Sequence, residues 1–175
     1  KCSTRTLYQQ MGKQEELISA LRNHYFVKTA PELDSTLSWK DAIDAWASAL
    51  RLAILERPNL SRHLSTDNRP ALIEFTRPLL AALIASEFSE AVAVEVCRSL
   101  VHVIVSLTLG ELETQAHRYD ETAIEGDHLA RLLSIDANAY ERSPDGKMPP
   151  PVFLQSIHWL IGGIELQRQT QGART

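Results

Sequence analysis

An all-α fold is the class this sequence predicts, and three observations predict it. Apolar residues recur at three- and four-residue spacing in segment after segment. The composition is rich in Ala and Leu and holds only seven glycines in 175 residues. The one β-branched run that could pass for a strand would have no second strand to pair with, and an unpaired strand is not stable in water. This length suits one domain, or one domain with a small appendage, and is enough to bury a real core. A hydrophobic content of 44% with 23% charge is ordinary for a water-soluble globular chain.

The elements follow in order. From Gln14 to Phe26, Leu17, Ile18, Leu21 and Tyr25 fall on one face of a helix, and Glu15 and Glu16 lie in its first turn, where the macrodipole favours acids. A loop over Pro31 to Thr36 leads to Ser38, a helix cap. Trp39, Ile43, Trp46, Leu50 and Ile54 then keep helical spacing until Pro58 stops it. A short helical turn is expected over Leu60 to Leu64. The next helix spans Pro70 to Ala85 with Leu72, Ile73, Leu79, Leu80, Leu83 and Ile84 as its apolar set; Pro78 lies inside it, and a kink or break is expected there.

Ser89 caps the longest element, which runs to about Arg118. Its middle, "LVHVIVSLTL", is β-branched and partly alternating, so local pattern alone admits a buried strand. Length decides for a helix, because the flanks "SEAVAVEVCRS" and "GELETQAHR" continue helical spacing on both sides. A weaker helix is expected from His128 to about Ile135, and "SPDGKMPPP" is a linker that cannot be helical inside. The last helix, Val152 to Gln169, carries Phe153, Leu154, Ile157, Leu160, Ile161 and Ile164 on one stripe. Gly162 and Gly163 interrupt it where another backbone could come close.

Composition also excludes. A net charge of -4 argues against a protein that coats nucleic acid over its whole surface, yet leaves room for a local basic patch: Lys1, Arg5 and Lys13 precede the first acid, Glu15. Cys2 and Cys97 are too few for a disulfide framework and lack metal-ligand spacing, which fits a reducing compartment. The apolar run Leu100 to Leu109 is broken by His102 and Ser106 and too short to span a bilayer, and no leader pattern opens the chain; a cytoplasmic protein without membrane contact is expected. An enzyme is not expected. Glu125 and His128 form a single Glu-x-x-His spacing where a di-iron bundle needs two, and no phosphate-binding glycine loop, zinc-protease motif or nucleophile turn is present.

The chain begins "KCSTRTLYQQMGKQEELISAL". Ser3, Thr4, Arg5, Thr6, Tyr8, Gln9 and Lys13 have the chemistry of a groove-reading helix and its phosphate anchors. Arg can take guanine bidentately, Gln can take adenine, and Thr methyls meet thymine methyls. Leu7 and Met11, one turn apart, would pin such a helix to its domain. A polar, frayed terminus would show similar residues.

Thr6, Leu7, Tyr8, Met11, Gly12, Glu15, Glu16 and Leu17 together resemble the end of the DNA-binding domain in the TetR family of bacterial transcriptional regulators. Further blocks agree in order and spacing. "SWKDAIDAWASALRLAILERP" looks like the start of that family's ligand-binding domain, "SLTLGELETQAH" like the end of its long central helix, and "PVFLQSIHWLIGGIE" like its C-terminal dimerisation helix. The chain departs from the pattern at Gln10, where His is usual, and at Gln14, where Lys is usual and Lys13 stands one position earlier.

The resemblance implies an all-helical homodimer. Residues 1–26 would be the end of a helix-turn-helix domain with its connecting helix, and residues 27–175 a ligand-binding and dimerisation domain. The first two helices of the DNA-binding domain would precede Lys1. Leu100, Ile104, Leu107, Phe153, Ile157, Leu160, Ile161 and Gly163 would meet a second subunit, the alternative being that the same stripes close the core of one chain. "RHLST" resembles a drug-contacting segment of the family, which places His63 and Thr66 at a ligand pocket with Trp46, Leu50 and His102. Thr114 stands where the tetracycline-binding branch has a metal-directed carboxylate, so no metal or cofactor is expected. Operator DNA and a small-molecule effector are the expected partners; the alternative is a helical ligand-binding module that does not touch DNA.

Overall fold

The computed structural model describes residues 14–61, 69–116 and 149–172, and every regular element among them is a helix. The all-α class is therefore the observed one. In chain order the helices are α1 (Gln14–Thr29), α2 (Trp39–Glu56), α3 (Pro58–Ser61), α4 (Arg69–Ala85), α5 (Glu90–Ala116) and α6 (Pro151–Gly172). The expected helix over 128–135 and most of the linker before Pro151 lie outside the described residues.

Helix α2 is the centre of the arrangement, packing on α4, α5 and α6 and touching α1. Its start is fixed by Ser38, whose extended backbone and Oγ, accepting from the Asp41 amide at 3.2 Å, satisfy a donor that the first turn leaves open. Its apolar row follows the predicted spacing, and Ile43, Trp46, Leu50 and Ile54 are fully buried. Helix α3 begins on Pro58, where the missing amide costs nothing. Leu60 and Ser61 of the expected Leu60 to Leu64 turn fall within it, and 62–64 lie outside the described residues.

Helix α1 lies mainly along α4, and its buried face differs from the expected one. Arg22 and Phe26 are buried, Leu17 and Ile18 are half-buried, and Leu21 is 51% exposed. The spacing gave the helix, but its neighbours chose the stripe, one residue further round than Leu17 and Leu21 suggest. Phe26 meets Phe75 of α4 edge-on with centroids 5.9 Å apart.

Helix α4 shows the same shift. Ala71, Phe75, Leu79 and Leu83 form the buried row at four-residue spacing, whereas Ile73 and Ile84 are exposed. The break expected at Pro78 does not occur: the helix is continuous from Arg69 to Ala85. An interior proline costs about 3 kcal/mol. Buried Ala71 and Phe75 before it and Leu79 and Leu83 after it hold one face against α1, α2 and α5, and burial of each large side chain contributes roughly 1.5–3 kcal/mol, enough to offset that cost.

The α4–α5 turn is a Schellman close. The Phe88 amide donates to Leu83 O at 3.2 Å and the Glu87 amide to Ile84 O at 3.0 Å, with Glu87 in the left-handed region at φ 67. Phe88 is thereby turned inward against Trp39, centroids 5.4 Å apart. Helix α5 starts after Ser89, whose carbonyl accepts from the Ala93 amide at 2.9 Å. Its buried row is Ala93, Val96, Cys97, Leu100, Ile104, Thr108 and Glu111. The β-branched middle of this segment is helical throughout, as length predicts. The apolar stretch is longer than Leu100 to Leu109: Glu90–Leu112 is long and apolar enough by composition to cross a bilayer, a property shared by core helices of globular proteins, and about a third of it is buried here.

Helix α6 packs on α5 and α2 through Phe153 and Ile157, both buried. Leu160, Ile161 and Ile164 are half-buried against the same core, and Leu154, placed on that stripe by its spacing, is exposed.

Candidate functional site

The face of α2 that carries Trp46 and Leu50 is solid core. Trp46 is fully buried, stacks edge-on to Phe75 with centroids 6.2 Å apart, and donates its indole N–H to Phe75 O at 3.0 Å. Leu50 is fully buried beside it. These two expected ligand contacts therefore sit together, in a packed interior. His102 does not join them. It is exposed, because it lies about half a turn round α5 from Leu100 and Ile104, which face the core. His63 and Thr66 lie outside the described residues, as do Ser3, Thr4, Arg5, Thr6, Tyr8, Gln9 and Lys13.

The expected intersubunit residues divide into two groups. Leu100, Ile104, Phe153 and Ile157 are buried inside the single chain, so they close its own core and are not free to meet a second copy. Leu107, Leu160 and Ile161 are half-buried on the edge of that core. Gly163 is exposed, and a Cβ at Gly162 or Gly163 would meet nothing within 4 Å. The outward stripe of α6 instead carries Trp159, 70% exposed, and Leu166, 64% exposed, with the two glycines between them.

A charged pair lies behind this core. Arg51 of α2 grips Glu111 of α5 through two bonds, Nε to Oε2 at 2.9 Å and Nη2 to Oε1 at 2.7 Å, and both side chains are only 1% exposed. The guanidinium also lies 5.8 Å from the ring centroid of Phe153 on α6. One cation thus ties three helices. The planar fork of Arg matches the carboxylate in both direction and charge, and a buried charge is tolerable only when so paired.

At the C-terminal end of α2, Tyr25 of α1 donates its hydroxyl to Glu56 Oε2 at 3.0 Å and approaches Ala53 O at 3.2 Å. Burial first, then the bond to Glu56 and its negative charge, push the phenol up to about 12, with Arg57 pulling the other way. This contact joins the helix that follows the N-terminal segment to the body of the molecule.

Between α2 and α6 runs an open groove of about 680 Å³. The α2 wall supplies Asp44, Ala47 and Ser48, and the α6 wall supplies Phe153, Gln155, Ile157, His158 and Ile161. Loss of water raises the Asp44 carboxyl above its ordinary range, Asp41 adds to the rise, and His158 opposes it. Asp44, Arg51, Glu111 and His158 were not legible as site residues. Arg51 left one sequence signal, a charge inside the apolar row of Ala47, Leu50 and Ile54; Asp44 and His158 become neighbours only through the packing of α6 on α2.

No known family model matches the chain, and no curated protein sequence matches it.

Proposed function

We propose that the chain is the sensor body, with the end of the DNA-reading domain, of a TetR-type transcriptional regulator. A homodimer binds a near-palindromic operator, and a small molecule releases it by favouring a subunit arrangement whose recognition helices are wrongly spaced. The observation that carries this reading is α1. It follows directly on the "STRTLYQQMGK" segment and is fixed to the body at both α4, through Phe26 against Phe75, and α2, through Tyr25 against Ala53 and Glu56. A rotation of α1 would therefore move whatever precedes it as a lever. The ligand can release DNA only by its preference for the non-binding arrangement, a coupling of typically about 1–3 kcal/mol.

A gel-shift titration of the full-length product tests the assignment. Arg5→Ala is expected to weaken operator binding and to relax base preference at one position per half-site, by about 1–3 kcal/mol for a lost bidentate contact. Unchanged affinity together with unchanged preference overturns the recognition-helix role. The groove between α2 and α6 favours a second reading, a helical binding module that does not touch DNA; that reading is chosen if the full-length product ignores every promoter fragment while still binding small molecules.

A further inference from the structure

We propose that the groove between α2 and α6 is a binding site for a small hydrophobic cation, with Asp44 as its charge anchor and Pro151, Leu154 and Ile161 as its apolar wall. This goes beyond operator recognition and does not depend on it. At about 680 Å³ the groove has the size of a ligand site. Its lining is mixed in the way such sites are: Pro151, Leu154 and Ile161 give apolar surface, and Ser48 and Gln155 offer hydrogen bonds at the rim.

Charge selects the occupant. Asp44 is the one Asp, Glu, Lys or Arg among the described residues that line the groove. Arg51, behind the Phe153 ring, is already held by both oxygens of Glu111, so it offers an anion nothing. One turn before Asp44 on α2, Lys40 is bound to Glu165 at 2.6 Å, and Asp41 adds a second negative charge near Asp44. Asp44, exposed on α2 with Asp41 near it and His158 on the facing wall, gives the groove its negative charge, and a cation seated there offsets the repulsion between the two carboxylates. An anion would meet repulsion, and a second copy of the chain has a better surface in the Trp159 and Leu166 stripe of α6.

The test uses two probes of nearly the same shape and opposite charge, tetraphenylphosphonium and tetraphenylborate, titrated calorimetrically into the whole chain at pH 8 without DNA. Saturable binding of the phosphonium is expected, with the borate at least about tenfold weaker. Asp44→Asn, at an exposed rim position, should weaken the phosphonium about fivefold. Gln155→Lys, which brings an ammonium into the groove from an exposed position of α6, should weaken the phosphonium and strengthen the borate; unchanged circular dichroism shows that both variants fold. Equal affinity for the two probes, or an unchanged phosphonium affinity in both variants, overturns the proposal. So does a lack of phosphonium binding to the unsubstituted chain, the result expected if another copy fills the groove. With no DNA present, each of these failures leaves the regulator reading standing.

Discussion

Tyr25 shows how much one side chain can be asked to do. Its ring packs edge-on to Phe26, centroids 5.5 Å apart, while its hydroxyl reaches Glu56 across the α1–α2 junction. The folded phenol is raised to about 12 from an ordinary 10, so the folded chain holds this proton more tightly than the unfolded one. The stability that follows is fully present below pH 10 and is lost as pH rises from 10 towards 12. Tyr25→Phe is expected to cost about 1 kcal/mol near neutral pH through the lost hydrogen bond. Urea unfolding at stepped pH should then show a flatter loss of stability above pH 10 than in the unsubstituted chain. The sequence placed Tyr25 on a helix face correctly, but not its partners, because Ala53 and Glu56 lie 28 and 31 residues away.

The helices themselves were largely readable. Ser38 before Trp39, Pro58 after α2, and Ser89 before α5 are local chemistry, and local chemistry sets where helices begin and end. Which stripe a helix buries is decided by its neighbours. For α2, whose apolar row is dense and one-sided, the two agree; for α1 and α4, where apolar residues spread round the axis, Leu21 and Ile73 were expected inside and lie outside. The same limit hid the link between α2 and α5. Arg51 and Glu111 are 60 residues apart, and in the sequence no charged residue stands three or four positions from either. Removing one of them strands the other in the core, so Arg51→Met or Glu111→Leu alone is expected to lower stability by about 3–5 kcal/mol. The double variant should recover most of that loss, since two apolar side chains need no counter-charge. Chemical denaturation of the four proteins completes the cycle; equal losses in the single and double variants would show that packing around Arg51, rather than its charge, holds the three helices together.

At the scale of the molecule, the outer surface of α6 is the feature that the single chain does not explain. Leu100, Ile104, Phe153 and Ile157 turn inward, and what α6 leaves for a second copy is Trp159, Gly162, Gly163 and Leu166, spaced along one side of the helix. The two glycines would let a second backbone approach, with Trp159 and Leu166 closing over it. A dimer of the proposed regulator would then meet one face away from the expected interface. Light scattering should give about twice 19.6 kDa for the chain and about 19.6 kDa for Trp159→Glu, with unchanged helicity. A variant that keeps the doubled mass would move the contact off this stripe. Fold class and element order were readable at this scale too, from periodicity alone; the groove was not, because it exists only where α6 crosses α2.

The three indoles give the protein a built-in optical gauge. Trp46 is sealed against Phe75, Trp39 sits half-covered beside Phe88, and Trp159 stands in water. Iodide reaches only the last of these freely, so collisional quenching reports the wetting of α6 while the blue edge of the emission spectrum reports the interior. Assembly and unfolding can thereby be followed separately in one unlabelled sample.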